Sequence, residues 1–316
     1  MSIAEVILVL VALAFAWSMG AHYTGACMGM PYATGSIGLR AALWVMAPLT
    51  LLGAAFLSHQ VLANIGHNIL AAHRLGTAPA IAAIAAAFLL TTLFTQWRIP
   101  TSTIQILVFC IIGVGAALGL AIRWNTVIGL AVLWVAAPLV AFALGFVFTR
   151  LFDAVPGFVR SGRAGAIGGA LVIVGGAASL TMGANDVSNA TAVFLATGFS
   201  GPFLAGLIGG IGLAVGVLTW GRPLLERVAF DVVKMDMAMA TAAQLVQALV
   251  VLTAVFFGYF TSMNQALIGA MAGTGFARGR ETIETRVVLG ILRSWIIGPA
   301  AGAALGFAFA SLTRLL

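Results

Sequence analysis

Thr101-Ser-Thr-Ile-Gln105 is followed by Gly113, Gly115 and Gly119, and about 160 residues further on the arrangement returns. The second copy reads Thr261-Ser-Met-Asn-Gln265, then Gly273, Gly275 and Gly279. Two more anchors repeat in the same order at nearly the same offset. Gly20-Ala21 ahead of a polar cluster returns as Gly183-Ala184. Trp134-x-x-x-Pro138 with Leu144-Gly-Phe146 returns as Trp295-x-x-x-Pro299 with Leu305-Gly-Phe307. Single glycines coincide easily in a chain with 38 of them, but three ordered patterns do not. The longest polar stretch, Arg150 to Arg163, falls near mid-chain. The expected organisation is one transmembrane domain over 1–316, with a first repeat over 1–150, a linker over 151–163 and a second repeat over 164–316.

The composition fixes the solvent. Of 316 residues 62% are hydrophobic and only 7% charged, and the mean hydropathy is +1.13. Soluble domains carry roughly a quarter charged residues, so a soluble fold, a disordered chain, collagen and a disulfide scaffold are all excluded. The net charge of +7 comes from 15 Lys+Arg placed singly. Such scatter reads as loop charge facing cytoplasm and anionic headgroups rather than as a nucleic-acid surface. Cys27 and Cys110 sit in apolar stretches and offer no disulfide framework or metal pair. Met1 to Trp17 has no basic lead, which favours a first span over a cleaved signal peptide. The same lack of Lys or Arg favours an external N-terminus.

A helical span needs about 20 apolar residues. Long segments run over 3–19, 41–62, 79–97, 126–149, 165–182, 202–220, 239–260 and 287–310. Shorter pieces, rich in Gly and small polar residues, run over 24–37, 103–121, 187–198 and 263–277. These are expected to be broken or re-entrant helices, allowed only where protein or a watery cavity surrounds them. The fold class is therefore all-α and polytopic, with two homologous, inverted repeats whose broken helices meet near the midplane, as in secondary transporters.

Of eight acids, Asp186 alone lies inside apolar sequence, in Met182-Gly-Ala-Asn-Asp-Val-Ser-Asn-Ala-Thr191. A carboxylate at membrane depth faces a cavity, pairs or titrates. With Asn185, Ser188 and Asn189 it forms an oxygen-rich set suited to sodium, while Asp186 alone suits a proton. The plain alternative is a cap, Asn185 or Asp186 starting a helix near Val187. The matching first-half segment, Met19-Gly-Ala-His-Tyr-Thr-Gly-Ala-Cys-Met28, lacks the carboxylate and amides but keeps His22, Tyr23 and Thr24 as hydrogen-bond formers. The duplicated Thr-Ser-x-x-Gln places Ser102, Thr103, Gln105, Ser262, Asn264 and Gln265 at helix starts, where hydroxyls, amides and backbone N–H groups suit a tetrahedral oxyanion. Thr24 is added to that set. The plain alternative there is serine and threonine bonded to their own helices. Arg98 and Arg293 read as interfacial anchors. His59, His67 and His73 have no carboxylate or Cys beside them to make a metal site, so no metal is expected beyond sodium at the coupling-ion residues. No P-loop occurs, which removes ATP-driven transport within this chain.

At Gly183-Ala-Asn-Asp-Val-Ser-Asn-Ala190 the sequence resembles the inorganic phosphate transporter (Pit) family, whose hallmark is Gly-Ala-Asn-Asp-x-x-Asn-Ala in each half. Ile99-Pro-Thr-Ser-Thr103 and Trp295 to Pro299 resemble further elements of that family. The resemblance implies an inverted-repeat permease that couples oxyanion entry to sodium or protons. It also implies Asp186, Asn185 and Asn189 near the coupling ion, with Ser102, Thr103 and Ser262 near the anion. The first-half hallmark is degenerate at His22-Tyr23, and Gly20-Ala-His-Tyr-Thr-Gly-Ala-Cys-Met-Gly29 with Tyr32-Ala-Thr-Gly35 is similar to the sulfate-permease branch.

The function expected is symport of a small inorganic oxyanion across the plasma membrane by a multi-pass protein, with sulfate slightly ahead of phosphate. An anion channel and a membrane enzyme are the remote alternatives, and no nucleophile–base constellation serves the second. The expected partners are the oxyanion, the lipid bilayer and a second copy of the chain. No cofactor is expected apart from sodium as coupling ion.

Overall fold

The computed structural model describes residues 2–65, 69, 76–155, 164–196, 198–231, 235–279 and 284–313. Thirteen helices account for nearly all of them: α1 (Ile3–His22), α2 (Thr24–Ala33), α3 (Leu39–Leu57), α4 (His59–Ile65), α5 (Thr77–Gln96), α6 (Thr103–Leu118), α7 (Trp124–Ala154), α8 (Ala164–Ala196), α9 (Pro202–Trp220), α10 (Arg222–Asp231), α11 (Met237–Phe256), α12 (Met263–Arg278) and α13 (Thr285–Thr313). No strand occurs among the described residues.

Local signals set the helix ends. Ser2 and Glu5 form a reciprocal capping box at the start of α1, with bonds of 2.8 and 3.3 Å. Asp236 caps α11 by accepting the Met239 N–H at 2.9 Å. Gly119, at φ 68°, ends α6 in the left-handed conformation that glycine adopts without strain. Among the described residues eight helical segments are long and apolar enough to cross a membrane, counting Ile3–Ala33 as one. Along α7 the side chains of Ile128, Val132, Val135, Leu139 and Val147 are exposed at near-helical spacing, a stripe that only lipid covers favourably.

Helix order and packing partners run in parallel through the two stretches of chain. α6 packs on α13 and α12 on α7; α1 packs on α9 and α8 on α3; α1 packs on α5 and α8 on α11. The motif glycines have a packing reason. A Cβ on Gly20 would collide with the Leu213 carbonyl, and one on Gly183 with the Thr50 carbonyl. Both positions need glycine because backbone meets backbone there.

Besides a break at Ser58, which divides the expected span 41–62 between α3 and α4, two boundaries differ from expectation. The segments 165–182 and 187–198 are one continuous helix, α8, so no helix starts near Val187 and the cap at Asn185 or Asp186 is overturned. Neither Gly nor Pro falls between Ala184 and Ala196, and polar residues cost a helix interior only about half a kcal/mol each. The second difference lies at mid-chain, where α7 continues to Ala154, past the expected end of the first half. Residues 156–163 of the expected linker lie outside the described residues. The short pieces 103–121 and 263–277 do stand as separate 16-residue helices, α6 and α12. Each folds back from a longer partner through a tip, 97–102 or 257–262.

Candidate functional site

The N-termini of α6 and α12 meet inside the protein. Ser102 Oγ accepts the Gln105 N–H at 3.4 Å, and Ser262 Oγ accepts the Gln265 N–H at 3.3 Å, so each serine caps its helix. The amide side chains of Gln105 and Gln265 bond each other reciprocally at 3.3 and 3.2 Å. Asn264 Nδ2 donates to the Thr101 carbonyl at 2.8 Å, tying the start of α12 to the tip ahead of α6. Two helix N-termini side by side bring together the partial positive charges of their unpaired N–H groups.

Two clamps from the crossing helices hold these tips. On α8, Asn185 Nδ2 donates to the Thr261 carbonyl at 2.8 Å, and its Oδ1 accepts the Thr261 N–H at 3.2 Å. On α1, His22 Nε2 accepts the Thr101 N–H at 3.1 Å. The other ring nitrogen, Nδ1, lies 2.8 Å from Thr95 Oγ1, which already donates to the Thr91 carbonyl at 2.8 Å. The network therefore assigns a neutral imidazole with its proton on Nδ1.

Asp186 stands next to the Asn185 clamp on α8. It is fully buried, and neither carboxylate oxygen has a hydrogen-bond partner among the described residues. Asn185 and Tyr23 are beside it; Asn185 is bonded to Thr261, and the Tyr23 hydroxyl lies 2.8 Å from Thr103 Oγ1, a pair in which either oxygen can donate. Asn189 Nδ2 also reaches Thr103 Oγ1, at 3.3 Å. Oxygens left without a partner are Asp186 Oδ1 and Oδ2, Asn189 Oδ1, Thr101 Oγ1 and Thr261 Oγ1. Unpaired buried polar atoms are costly, about 1–3 kcal/mol each, and a concentration of them marks a place built for a ligand.

Of the residues expected at the anion, Ser102, Thr103, Gln105, Ser262, Asn264 and Gln265 come together at the two tips. Thr24 does not join them: its hydroxyl donates to the Gly221 carbonyl at 2.6 Å, between α9 and α10. On the coupling-ion side, Asn185, Asp186 and Asn189 are adjacent on α8, while Ser188 donates to the Asn185 carbonyl of its own helix at 2.8 Å. Among the described residues no three His, Cys, Asp or Glu gather as a metal site. His59 contacts the Ala55 carbonyl, while His67 and His73 lie outside the described residues. Arg293 is exposed on α13.

Sequence reasoning missed one pair. Gln244 and Gln247 on α11 are fully buried, and Gln244 Nε2 donates to the Ala26 carbonyl at 2.8 Å and to Gln247 Oε1 at 3.0 Å. Gln244 Oε1 and Gln247 Nε2 have no partner. Two amides one turn apart in an apolar helix were the available signal. A cavity of about 770 Å³, lined by Trp134, Pro138, Trp295 and Pro299 from the twin Trp-x-x-x-Pro elements, lies against the Gln105–Gln265 pair and is almost wholly apolar. Asp186 does not line it.

A lipid-facing helical shell around two converging helix N-termini and one buried carboxylate defines a polytopic membrane transporter. The chain belongs to the phosphate transporter family, whose model matches residues 19–306. It is 28% identical to the sulfate permease CysP of Bacillus subtilis over 98% of this chain and 88% of that protein. It is 27% identical to a protein of Mycobacterium leprae named "Probable low-affinity inorganic phosphate transporter", over 94% of this chain and 75% of that one. In structure it is similar to "The sodium-dependent phosphate transporter", with a TM-score of 0.90 over the whole of both chains at 22% identity. The chain is thus an anion transporter and not an enzyme, a multi-pass protein of the plasma membrane.

Proposed function

We propose that the protein is a symporter that imports a tetrahedral inorganic oxyanion, sulfate slightly ahead of phosphate, coupled to sodium or protons. The carrying observation is the Asp186 carboxylate, buried with both oxygens unpartnered, beside the capped N-termini of α6 and α12. In this scheme the anion binds at the tips, through Ser102, Thr103, Ser262 and Asn264, with backbone N–H groups of the first helical turns. The coupling ion binds at Asp186, assisted by Asn185 and Asn189. Sodium is favoured over the proton because the unpartnered atoms around Asp186 are hard oxygen ligands of the kind sodium takes. Coupling follows if the cation and the anion stabilise the same conformations.

The two halves are proposed to be inverted repeats joined by a linker that follows α7, with the N-terminus outside. The swapped packing of α6 on α13 and α12 on α7 supports a two-fold relation between them. Gln105 and Gln265 then act as a strut across that axis, which opens when one tip moves against the other. A dimer of such chains remains part of the proposal.

Sulfate carries no proton near neutral pH and needs donors only, which the two tips supply. Phosphate carries one or two and needs an acceptor. Asn189 Oδ1 is such an acceptor and favours phosphate as the second reading. Purified protein in proteoliposomes decides between them. Labelled sulfate uptake blocked by cold sulfate or thiosulfate but not by phosphate is the expected result. Block by phosphate at equal or lower concentration reverses the order. Replacing sodium by choline at constant pH stops uptake if sodium is the coupling ion, whereas proton coupling is collapsed by a protonophore instead.

A further inference from the structure

Thr241, Gln244 and Gln247 follow one another at intervals of three on α11, and all three are buried. Residues so spaced are neighbours on one side of a helix. The matching helix of the first half, α5, is also 20 residues long and lies 160 positions earlier. There the three positions hold Ile81, Ile84 and Ala87. The polar row thus occurs in one half only. That half's crossing helix, α8, carries Asp186 and packs on α11.

Hydrogen bonds fix how the two amides point. Gln244 Nε2 donates both to the Ala26 carbonyl and to Gln247 Oε1, so neither amide can be turned over. Gln244 Oε1 is left as a free acceptor and Gln247 Nε2 as a free donor. Thr241 donates to the Met237 carbonyl at 2.7 Å, and its oxygen keeps lone pairs to accept with. A leucine at 244 or 247 would avoid the cost of an unpaired buried amide, so packing alone does not account for the pair. A free acceptor beside a free donor is satisfied by water, or by a cation that brings water with it.

The row lies along the seam between α11 and α2. At the outer end Ser36 Oγ, 2.8 Å from Thr34 Oγ1, lies 3.8 Å from the sulfur of Met237, the first residue of α11. Asp236, which caps that helix, is exposed, so the seam begins at the protein surface. Gln244 sits seven residues further in, about 10 Å along the helix. At the inner end Ala26, which Gln244 holds, is one turn of α2 from Tyr23, the neighbour of Asp186. The charge of Asp186 also acts on Cys27, the next residue. The amide pair therefore stands between the surface and the buried carboxylate.

We infer that Thr241, Gln244 and Gln247 line a hydrated lane along the α2–α11 seam, through which the coupling cation passes between Asp186 and the membrane face where α11 begins. This rests on the sodium coupling at Asp186 proposed above. Neutral amide and hydroxyl oxygens replace part of the shell of a hard cation without a charge that would trap it. The three side chains are buried here, so the lane is shut in this conformation and opens when the α11–α12 hairpin moves against α2.

The test combines labelling with transport in proteoliposomes of one orientation. In a Cys27→Ala, Cys110→Ala background, Gln244→Cys and Gln247→Cys are expected to react with a charged, water-soluble methanethiosulfonate from one face. Saturating sodium slows that reaction, and the first-half controls Ile84→Cys and Ala87→Cys stay unlabelled. With the native cysteines in place, Gln247→Leu raises the half-saturating sodium concentration roughly threefold to tenfold, the worth of one hydrogen bond. Its anion KM at saturating sodium is unchanged and its melting temperature does not fall, which a packing role alone would not produce. Equal reactivity of the two pairs of cysteine variants in a protein with sodium-driven uptake overturns the lane. An unchanged sodium requirement in Gln247→Leu overturns it as well. Uptake by the unmodified protein that continues in choline instead defeats sodium coupling at Asp186, and the cation lane falls with that reading.

Discussion

The segment α1–α2 and the helix α8 cross the protein at matching places and carry different side chains there. α8 is unbroken through Asn185-Asp186, whereas the first crossing has one non-helical residue, Tyr23, at φ −97° and ψ 3°. At the clamp position the two agree in role although not in residue type. His22 holds the Thr101 backbone and Asn185 holds the Thr261 backbone. An imidazole with a bare Nε2 and an amide oxygen both accept a backbone N–H, so either residue supports a hairpin tip. One position further on they part. Asp186 presents two unpartnered oxygens, while Tyr23 closes on Thr103 with its hydroxyl. The tip-holding contact thus occurs in both crossings, and the buried carboxylate in only one.

The largest effect is expected at Asp186. Asp186→Asn keeps the shape but removes the charge, so uphill accumulation driven by the ion gradient falls to background while exchange of substrate for substrate continues. Accumulation against a gradient in that variant would falsify the coupling assignment. Next in size is the clamp. Asn185→Ala leaves the buried Thr261 N–H and carbonyl unpaired, at about 2–6 kcal/mol for the two groups together. Thermal unfolding in detergent should show a large drop in midpoint, and Asn185→His, which copies the other crossing, should recover much of it. If His is no better than Ala, the two clamps are not equivalent.

Tyr23→Phe removes one buried hydroxyl bond to Thr103, worth about 1 kcal/mol. A several-fold loss in transport rate with little change in unfolding is expected, and an unchanged rate would make Tyr23 a packing residue only. The smallest effect belongs to a feature found in one half. Arg278 at the end of α12 pairs with Asp153 at 2.6 Å and Asp236 at 3.1 Å, whereas Leu118 stands at the matching place on α6. These side chains are partly exposed, so Arg278→Ala should cost under about 1 kcal/mol and less at high salt. Unfolding midpoints at low and high ionic strength measure it.

The sequence alone determined the lipid solvent, the all-helical class, most helix bounds within a few residues and the separate short helices α6 and α12. It also placed Asp186 as the one acid inside apolar sequence. These are local or compositional properties: hydropathy over a span's length, capping serines, an unusual carboxylate. Only the tertiary structure decided that α8 runs through its polar motif, because helix continuity there depends on which partners receive Asn185 and Asn189. It also decided that Thr24 turns to Gly221 instead of the tips, since one residue's shift around a helix sends a side chain to another neighbour. The juxtaposition of His22 with Thr101, of Gln105 with Gln265, and of the buried Gln244 with Ala26 joins residues 79 to 218 positions apart in sequence. Such pairs are set by how the helices cross, and no local pattern encodes a crossing.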